Sequence, residues 1–264
     1  MNKQDILKFY KTEEDKLLVA KTLDKLTIAT TKNKITNTDF LDLRQISILE
    51  KLFKQLHNEN HICFGGYKNA ERKLVIFFSD KFESNIIQKN YNQIMSIIQI
   101  ILPNELKNKY THKVYLSGLM KIGIKREKIG DIVVYENGAD IIILNEISKY
   151  VITNLKELTR FSKSNIELKQ IENIHEVQIK KEEINITVSS LRLDNIVSEL
   201  ARTKVEEIIS SGRIFLNFEN EYKCTKLIKQ GDIITIRGKG RFEINSIIGN
   251  TKKGKIIIKV LHLI

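Results

Sequence analysis

Cysteine, proline and long apolar runs are all scarce in this chain. Of its 264 residues only Cys63 and Cys224 are cysteine. They lie far apart and form no Cys-x-x-Cys pattern, so neither a disulfide framework nor a zinc site is expected, and a reducing cytosol is the default. The longest apolar run, about four to six residues around positions 97–102, is far short of the roughly 18 that a membrane span needs. The N-terminus, MNKQDILKFYKTEEDKLL, has charges every few residues where a signal peptide needs an apolar core. Neither secretion nor membrane insertion is expected, and the predicted location is cytoplasmic. Pro103 is the sole proline, and there is no Gly/Ser-rich linker, repeat or low-complexity block. Domain boundaries must therefore be read from changes of hydrophobic period.

Positive charge is abundant. Lys and Arg number 44 against 32 Asp and Glu, a formal charge of +12 with pI ≈ 9.5. Such a balance favours a polyanionic partner. The excess is uneven: residues 1–75 carry +4, residues 76–185 carry +2, and residues 186–264 carry +6. Half of it thus lies in the last 30% of the chain. A lysine-rich composition can arise without a functional cause; the arginines are harder to explain that way.

Residues 3–58 are mostly helical in pattern. Phe40, Leu41, Leu43, Ile46, Leu49, Leu52, Phe53 and Leu56 recur at three- and four-residue steps and make one buried face. The glycines of Phe64-Gly-Gly-Tyr67 mark a turn, and KLVIFFSD then reads as a strand. From about residue 94 the order is strand 94–102, helix 111–122, strand 131–135, strand 139–144, helix 146–158 and strand 165–171. This is βαββαβ, the split βαβ topology of ferredoxin-like and RRM-like sheets. Tyr135-Glu-Asn-Gly138 predicts a hairpin whose Asn-Gly supplies positive φ. The two central strands, IMSIIQIIL and ADIIILN, contain no aromatic residue, so an RRM-type base-stacking surface is not expected. This sheet is expected to bury against a neighbour or to contact protein.

The last unit begins near residue 181. Leu193, Ile196, Val197 and Leu200 form one helical face. Thr203-x-x-Glu206 reads as a capping box for a second helix, and Gly212 stands where a C′ glycine belongs. Ile214, Leu216 and Phe218 then alternate with Phe215 and Asn217 as a strand, and three further short strands from Ile233 onward close a small curved sheet. Arg192 opens the first helix, and Arg202 with Lys204 opens the second. Helix N-termini offer free N–H groups to phosphates, guanidinium forks suit phosphate oxygens, and Arg213 adds to the same face.

RLDNIVSEL, ARTKVEEII, SGRIFLN, the middle lysine of CTKLIKQGD and ITIRGKGRF together resemble the S4-type RNA-binding domain, whose fold is αL-like. The resemblance covers about 65 residues. It implies an RNA surface of Arg192, Arg202, Lys204, Arg213, Lys226, Arg237, Lys239 and Arg241. Ala201 departs from the serine found there in many members. More of the chain is similar to the YlmH family of bacterial S4-domain proteins. The FGG…AER segment matches through Phe64, Gly65, Gly66, Ala70, Glu71 and Arg72. The middle segment matches through His112, Leu116, Gly118, Gly123, Ile124, Arg126, Glu127, Ile129, Gly130, Asp131 and Ile132, while Lys113, Val114 and Tyr115 depart from the family pattern.

The expected fold is therefore α+β in three parts: a helical region over 1–75, a βαββαβ domain over 76–180, and an S4 domain over 181–264. The family resemblance implies a non-catalytic factor in ribosome-associated quality control. Its implied partners are large-subunit rRNA and P-site tRNA, on a 50S subunit still holding peptidyl-tRNA, and an RqcH-type protein that adds a C-terminal alanine tail to the stalled chain. A possible second surface comprises Arg72, His112, Lys125, Arg126 and Lys128. The competing class is an S4-domain RNA-modification enzyme, a pseudouridine synthase or methyltransferase. Against it, Arg192-Leu193-Asp194 lies inside the S4 helix, and no Walker loop, HExxH, synthetase signature or glycine-rich loop after a strand is present. His112, Glu127 and Asp131 are the one set that can be drawn as an acid–base cluster. No catalytic residue, cofactor or metal is expected, and the chain is expected to be a monomer.

Overall fold

The computed structural model describes residues 2–82, 87, 90–175, 181–201 and 205–263. It divides the chain into two compact units, residues 1–177 and 178–264. The first opens with helices α1 (Lys3–Leu7) and α2 (Glu13–Lys32). Thr12 caps α2 by accepting the Asp15 N–H at 3.1 Å, and three acidic residues lie in its first turn, where the helix dipole favours them. Strand β1 (Thr36–Asn37) leads to α3 (Leu43–Leu56), which starts in a reciprocal capping box between Asp42 and Gln45. Ile46, Leu49, Leu52 and Phe53 of the predicted apolar face are all buried. Strands β2 (His61–Phe64) and β3 (Leu74–Phe77) complete an antiparallel sheet of order β1-β3-β2. Residues 1–75 are thus not helical throughout, because β1 and β2 are too short to display a period of two.

The short helix α4 (Tyr91–Ile94) precedes β4 (Met95–Ile101), α5 (His112–Lys121), β5 (Ile129–Tyr135), β6 (Gly138–Leu144), α6 (Ser148–Glu157) and β7 (Asn165–Lys169). Their sheet is antiparallel with order β5-β6-β4-β7, the split βαβ arrangement. The hairpin at Tyr135–Gly138 forms, though for a different reason from the one predicted. Neither Asn137 nor Gly138 has positive φ. Gly138 is needed for space, since a Cβ there would lie 2.0 Å from the Ile100 carbonyl oxygen.

Four layers build this unit. Val75 and Phe77 of β3 pack with α2 and α3, while Leu74 and Ile76 face the other way and meet Met95, Ile97, Ile142 and Leu144 of β4 and β6. The opposite face of β4 and β6, through Ile98, Ile100, Ile141 and Ile143, packs on Tyr115, Leu119, Val151 and Leu155 of α5 and α6. The order is helices, three-stranded sheet, four-stranded sheet, helices. Residues on both sides of position 75 therefore share one apolar core, within a single compact unit.

The second unit contains β8 (Lys181–Val188), α7 (Leu193–Ala201), α8 (Val205–Ser210), β9 (Ile214–Leu216), β10 (Glu219–Asn220), β11 (Ile233–Ile236), β12 (Gly240–Asn250) and β13 (Ile256–Leu263). The sheet order is β10-β9-β11-β12-β13-β8. Strand β8 precedes the helices and pairs along its whole length with β13, and β12 and β13 are longer than predicted. Gly212 fulfils its role: its φ is 68°, its N–H donates to Ile209 O, and the Arg213 N–H donates to Ile208 O, which is a Schellman motif. Thr203, the expected cap, lies outside the described residues.

Candidate RNA-binding surfaces

In the second unit α7 and α8 close one side of the sheet over Ile214, Ile234, Ile236, Phe242 and Ile244. The basic residues are left on turns and on the outer face. Arg213 follows the helix-ending glycine, is exposed, and donates from Nη2 to the Arg237 carbonyl at 3.1 Å. Arg237 lies at the end of β11 with its guanidinium 5.6 Å from the Phe215 ring centroid. Arg241, on β12, sits 5.6 Å from the Phe218 ring centroid. Thr235 pairs with Phe215 on one side and Arg241 on the other, so these side chains share the outer face. Lys239 is exposed in the β11–β12 turn. Arg213, Arg237 and Arg241 are brought together; Arg202 and Lys204 lie outside the described residues.

Arg192 and Lys226 are adjacent through another connection. The 221–230 loop packs across the start of α7, where the Leu193 N–H donates to Lys226 O at 2.8 Å and the Asp194 N–H to Cys224 O at 3.1 Å. The Asn195 N–H is taken by Asp194 Oδ1 at 2.8 Å. The start of α7 therefore has no free N–H groups at these positions for a phosphate, contrary to expectation, because two loop carbonyls and the Asp194 carboxylate satisfy them. Arg192 grips Asp194 through Nε at 3.2 Å and Nη2 at 2.5 Å, which offsets its charge. Lys226 remains exposed.

Phe218 does not continue the Ile214–Leu216 face predicted for it. Strand β9 ends at Leu216, and Asn217 and Phe218 form the turn into β10 with φ of 49° and 70°. The ring therefore lies under Arg241 and is absent from the buried core. Neither Phe215 nor Phe218 was predicted as a site residue. The signal was the placement of two aromatics beside Arg213 in RIFLNF.

The possible second surface is organised differently. Asp131, within a bulged stretch of β5, accepts hydrogen bonds from Tyr67 Oη (2.8 Å), the Glu71 N–H (2.7 Å) and the Arg72 N–H (3.0 Å). Arg72 donates from Nε to Ile129 O at 2.9 Å and from Nη2 to Phe40 O at 2.8 Å. Arg126 donates from Nη1 to Ile129 O (2.7 Å) and Gly130 O (3.0 Å). Burial first, then the nearby Arg72 charge, lowers the Arg126 pKa to about 10 despite Asp131. Lys128 bridges Asp39 and Glu146, both at 2.8 Å; burial opposes its charge, but the two carboxylates outweigh that and raise its pKa.

His112, at the start of α5, has its pKa lowered by burial and then by Arg126, with Asp131 opposing. Lys125 is exposed. The FGG…AER and GIKREKIGD segments thus meet as one fastening. Gly65 lies too close to Arg72 O for any Cβ, and Gly130 sits against Phe40 and Ile142 within β5. Asp131, a member of the acid–base set drawn from the sequence, is held as an acceptor between loop and strand.

The sheet face on which an RRM stacks bases is covered. In β4 and β6 that face is Met95, Ile97, Ile142 and Leu144, all buried against Phe40, Leu74 and Ile76. Among the described residues no helix is long and apolar enough to cross a membrane, and no group of three or more His, Cys, Asp or Glu is placed to hold a metal ion.

Residues 87–175, which contain the whole βαββαβ domain, match the family profile described as "Putative RNA-binding domain in YlmH". The ribosome-associated protein quality control protein P2 of Bacillus subtilis (strain 168) is 29% identical over 266 residues, covering 95% of this chain and 96% of that protein. A solved structure titled cell division protein YlmH, from Streptococcus pneumoniae, is 21% identical. It aligns with 63% of this chain and 98% of its own, at a TM-score of 0.49.

Proposed function

We propose that this chain is a member of the YlmH family of S4-domain RNA-binding proteins, a reading supported by the match over residues 87–175 and by the relative from Bacillus subtilis, and that it is a non-catalytic factor of ribosome-associated quality control. In this proposal the second unit binds rRNA of the large ribosomal subunit beside P-site tRNA. The tRNA is thereby held in the state that accepts untemplated alanines with an RqcH-type partner. The protein acts in the cytosol as a monomer, without cofactor or metal.

The observation that carries the proposal is the condition of the arginines on the outer face of the second unit. Arg213 donates to a backbone carbonyl and Arg237 lies against a ring, so both keep their charge available to a polyanion. The mechanism is positional. Contacts to two RNAs at once raise the effective concentration of one beside the other and shift the tRNA toward the bound arrangement. If about five phosphates are neutralised, log affinity falls with log salt at a slope of roughly −4 to −5 on duplex-like RNA.

The domain over 87–175 shares in binding over its helices, edges and loops, since its stacking face is filled. Lys113, Lys121, Lys149 and Lys156 are exposed on α5 and α6. A non-catalytic role fits the hydrogen bonding of Asp131, which holds a loop to a strand.

The test is sedimentation of cell extracts. The parent protein is expected to migrate with free large subunits, and a variant with Arg202→Glu, Lys204→Glu and Arg213→Glu at the top of the gradient. Normal co-migration of that variant overturns the proposed surface. A changed nucleoside modification profile in RNA from a deletion strain overturns the non-catalytic role.

A further inference from the structure

The turn between β9 and β10 breaks a backbone rule. Leu216 pairs with Glu219, so Asn217 and Phe218 form a two-residue turn, and both have positive φ. Glycine is the least strained residue at the second position of such a turn, because a Cβ in the left-handed region crowds the backbone. Asn217 is an ordinary occupant of the first position, and it is fastened there. Its Oδ1 accepts the Ile233 N–H at 2.9 Å, and its Nδ2 donates to Asp232 Oδ1 at 2.9 Å. Phe218 has no such local reason. A bulky aromatic at φ 70° is strained, and its ring adds nothing to the core formed by Ile214, Leu216 and Phe242.

What the ring meets is a guanidinium. Arg241 lies over Phe218 and Arg237 over Phe215, each at 5.6 Å from the ring centroid. Both rings are partly open to solvent on the face opposite the buried Ile234 and Ile236. Two ring–guanidinium pairs on one outer face combine flat π surfaces with fixed positive charge. That combination fits the face of an unpaired base on a phosphate-bearing strand. A paired helix hides its base faces and offers the rings little.

The geometry points to Phe218, with Arg241 against it, as a stacking seat for an unpaired nucleobase, and to Phe215 with Arg237 as its continuation. This assignment rests on the RNA-binding function proposed above and adds to it the class of RNA recognised: a single-stranded or bulged segment. The strained turn is the means by which an aromatic is placed at the hairpin tip.

The strain itself supplies a clean test. Phe218→Gly removes the ring and puts the residue best suited to positive φ in its place, so the thermal midpoint should hold or rise. Binding of the full chain is measured against a single-stranded oligoribonucleotide and against a blunt RNA duplex of equal length, across a salt series. The expected result is single-strand affinity weakened by about fivefold or more, duplex affinity unchanged, and an unchanged salt slope because no phosphate contact is lost. Phe218→Tyr should retain parental binding. Parental single-strand affinity in Phe218→Gly overturns the stacking seat and leaves the RNA-binding proposal standing. Failure of the parent protein to bind either RNA at low salt removes both.

Discussion

Arg72 and Arg126 in the first unit do the opposite work from Arg213 and Arg237 in the second. The first pair directs its guanidinium N–H groups inward, to the carbonyls of Phe40, Ile129 and Gly130. The second pair stays at the surface, on a carbonyl at a turn and on an aromatic ring. The glycines follow this division only in part, since Gly123 of the first unit has positive φ and open space and Gly240 of the second lies against His262. Gly65, Gly118, Gly130 and Gly138 have neighbours that a Cβ would meet below 3.0 Å, whereas Gly231 and Gly254 have positive φ and open space around them. Gly65, Gly130, Arg72 and Arg126 of the first unit's motifs are thus required for closure, whereas Gly231 of the second shapes an open turn. An arginine or glycine in a motif is therefore not in itself a sign of a ligand.

The comparison breaks most sharply at Asp131. Asp131→Ala leaves the Tyr67 hydroxyl and the N–H groups of Glu71 and Arg72 without their acceptor. The loss expected in denaturant unfolding is roughly 2–4 kcal/mol, the range for several partly buried donors left unsatisfied. A catalytic or RNA-contacting Asp131 would instead give a variant of parental stability. Unfolding near the parental midpoint would show that the fastening is dispensable.

Glycine substitution gives the next largest effect and separates the two kinds directly. Gly138→Ala forces a Cβ onto the Ile100 carbonyl, a backbone atom that cannot rotate away. The pairing of β4 with β6 must shift, at a cost of about 1–3 kcal/mol. Gly254→Ala meets no neighbour and suffers only from its φ of 75°, which costs about 1 kcal/mol. Equal losses in the two variants would mean that close approach is not what Gly138 provides.

The parts legible in the sequence were those with long local patterns. Strands β4 and β6 read as largely apolar segments because both faces are buried, so their covered surface was foreseeable from MSIIQII and GADIIIL. Helix α3 and the Gly212 terminus were legible for the same reason, since their signals lie within a few residues. Strand β8 was not, because its partner β13 is more than 65 residues away and its own start, Lys-Glu-Glu, is polar. The Phe218 turn was hidden because Asn-Phe lacks the glycine that announces a tight hairpin. The inward use of Arg72 and Arg126 depends on which carbonyls the fold leaves unpaired, and no sequence spacing encodes that.

The smallest stability effect is expected where the binding effect should be large. Arg213→Glu with Arg237→Glu removes one side-chain bond to a carbonyl and one ring contact, both at exposed positions. Surface changes of this kind stay within about 0.5 kcal/mol, so the denaturant midpoint should barely move. RNA affinity should fall, and the salt slope should flatten by roughly one for each phosphate contact removed. A variant that keeps both its midpoint and its salt slope would place the RNA elsewhere. A variant that unfolds would put these arginines in the same class as Arg72 and Arg126, and the contrast between the two units would disappear.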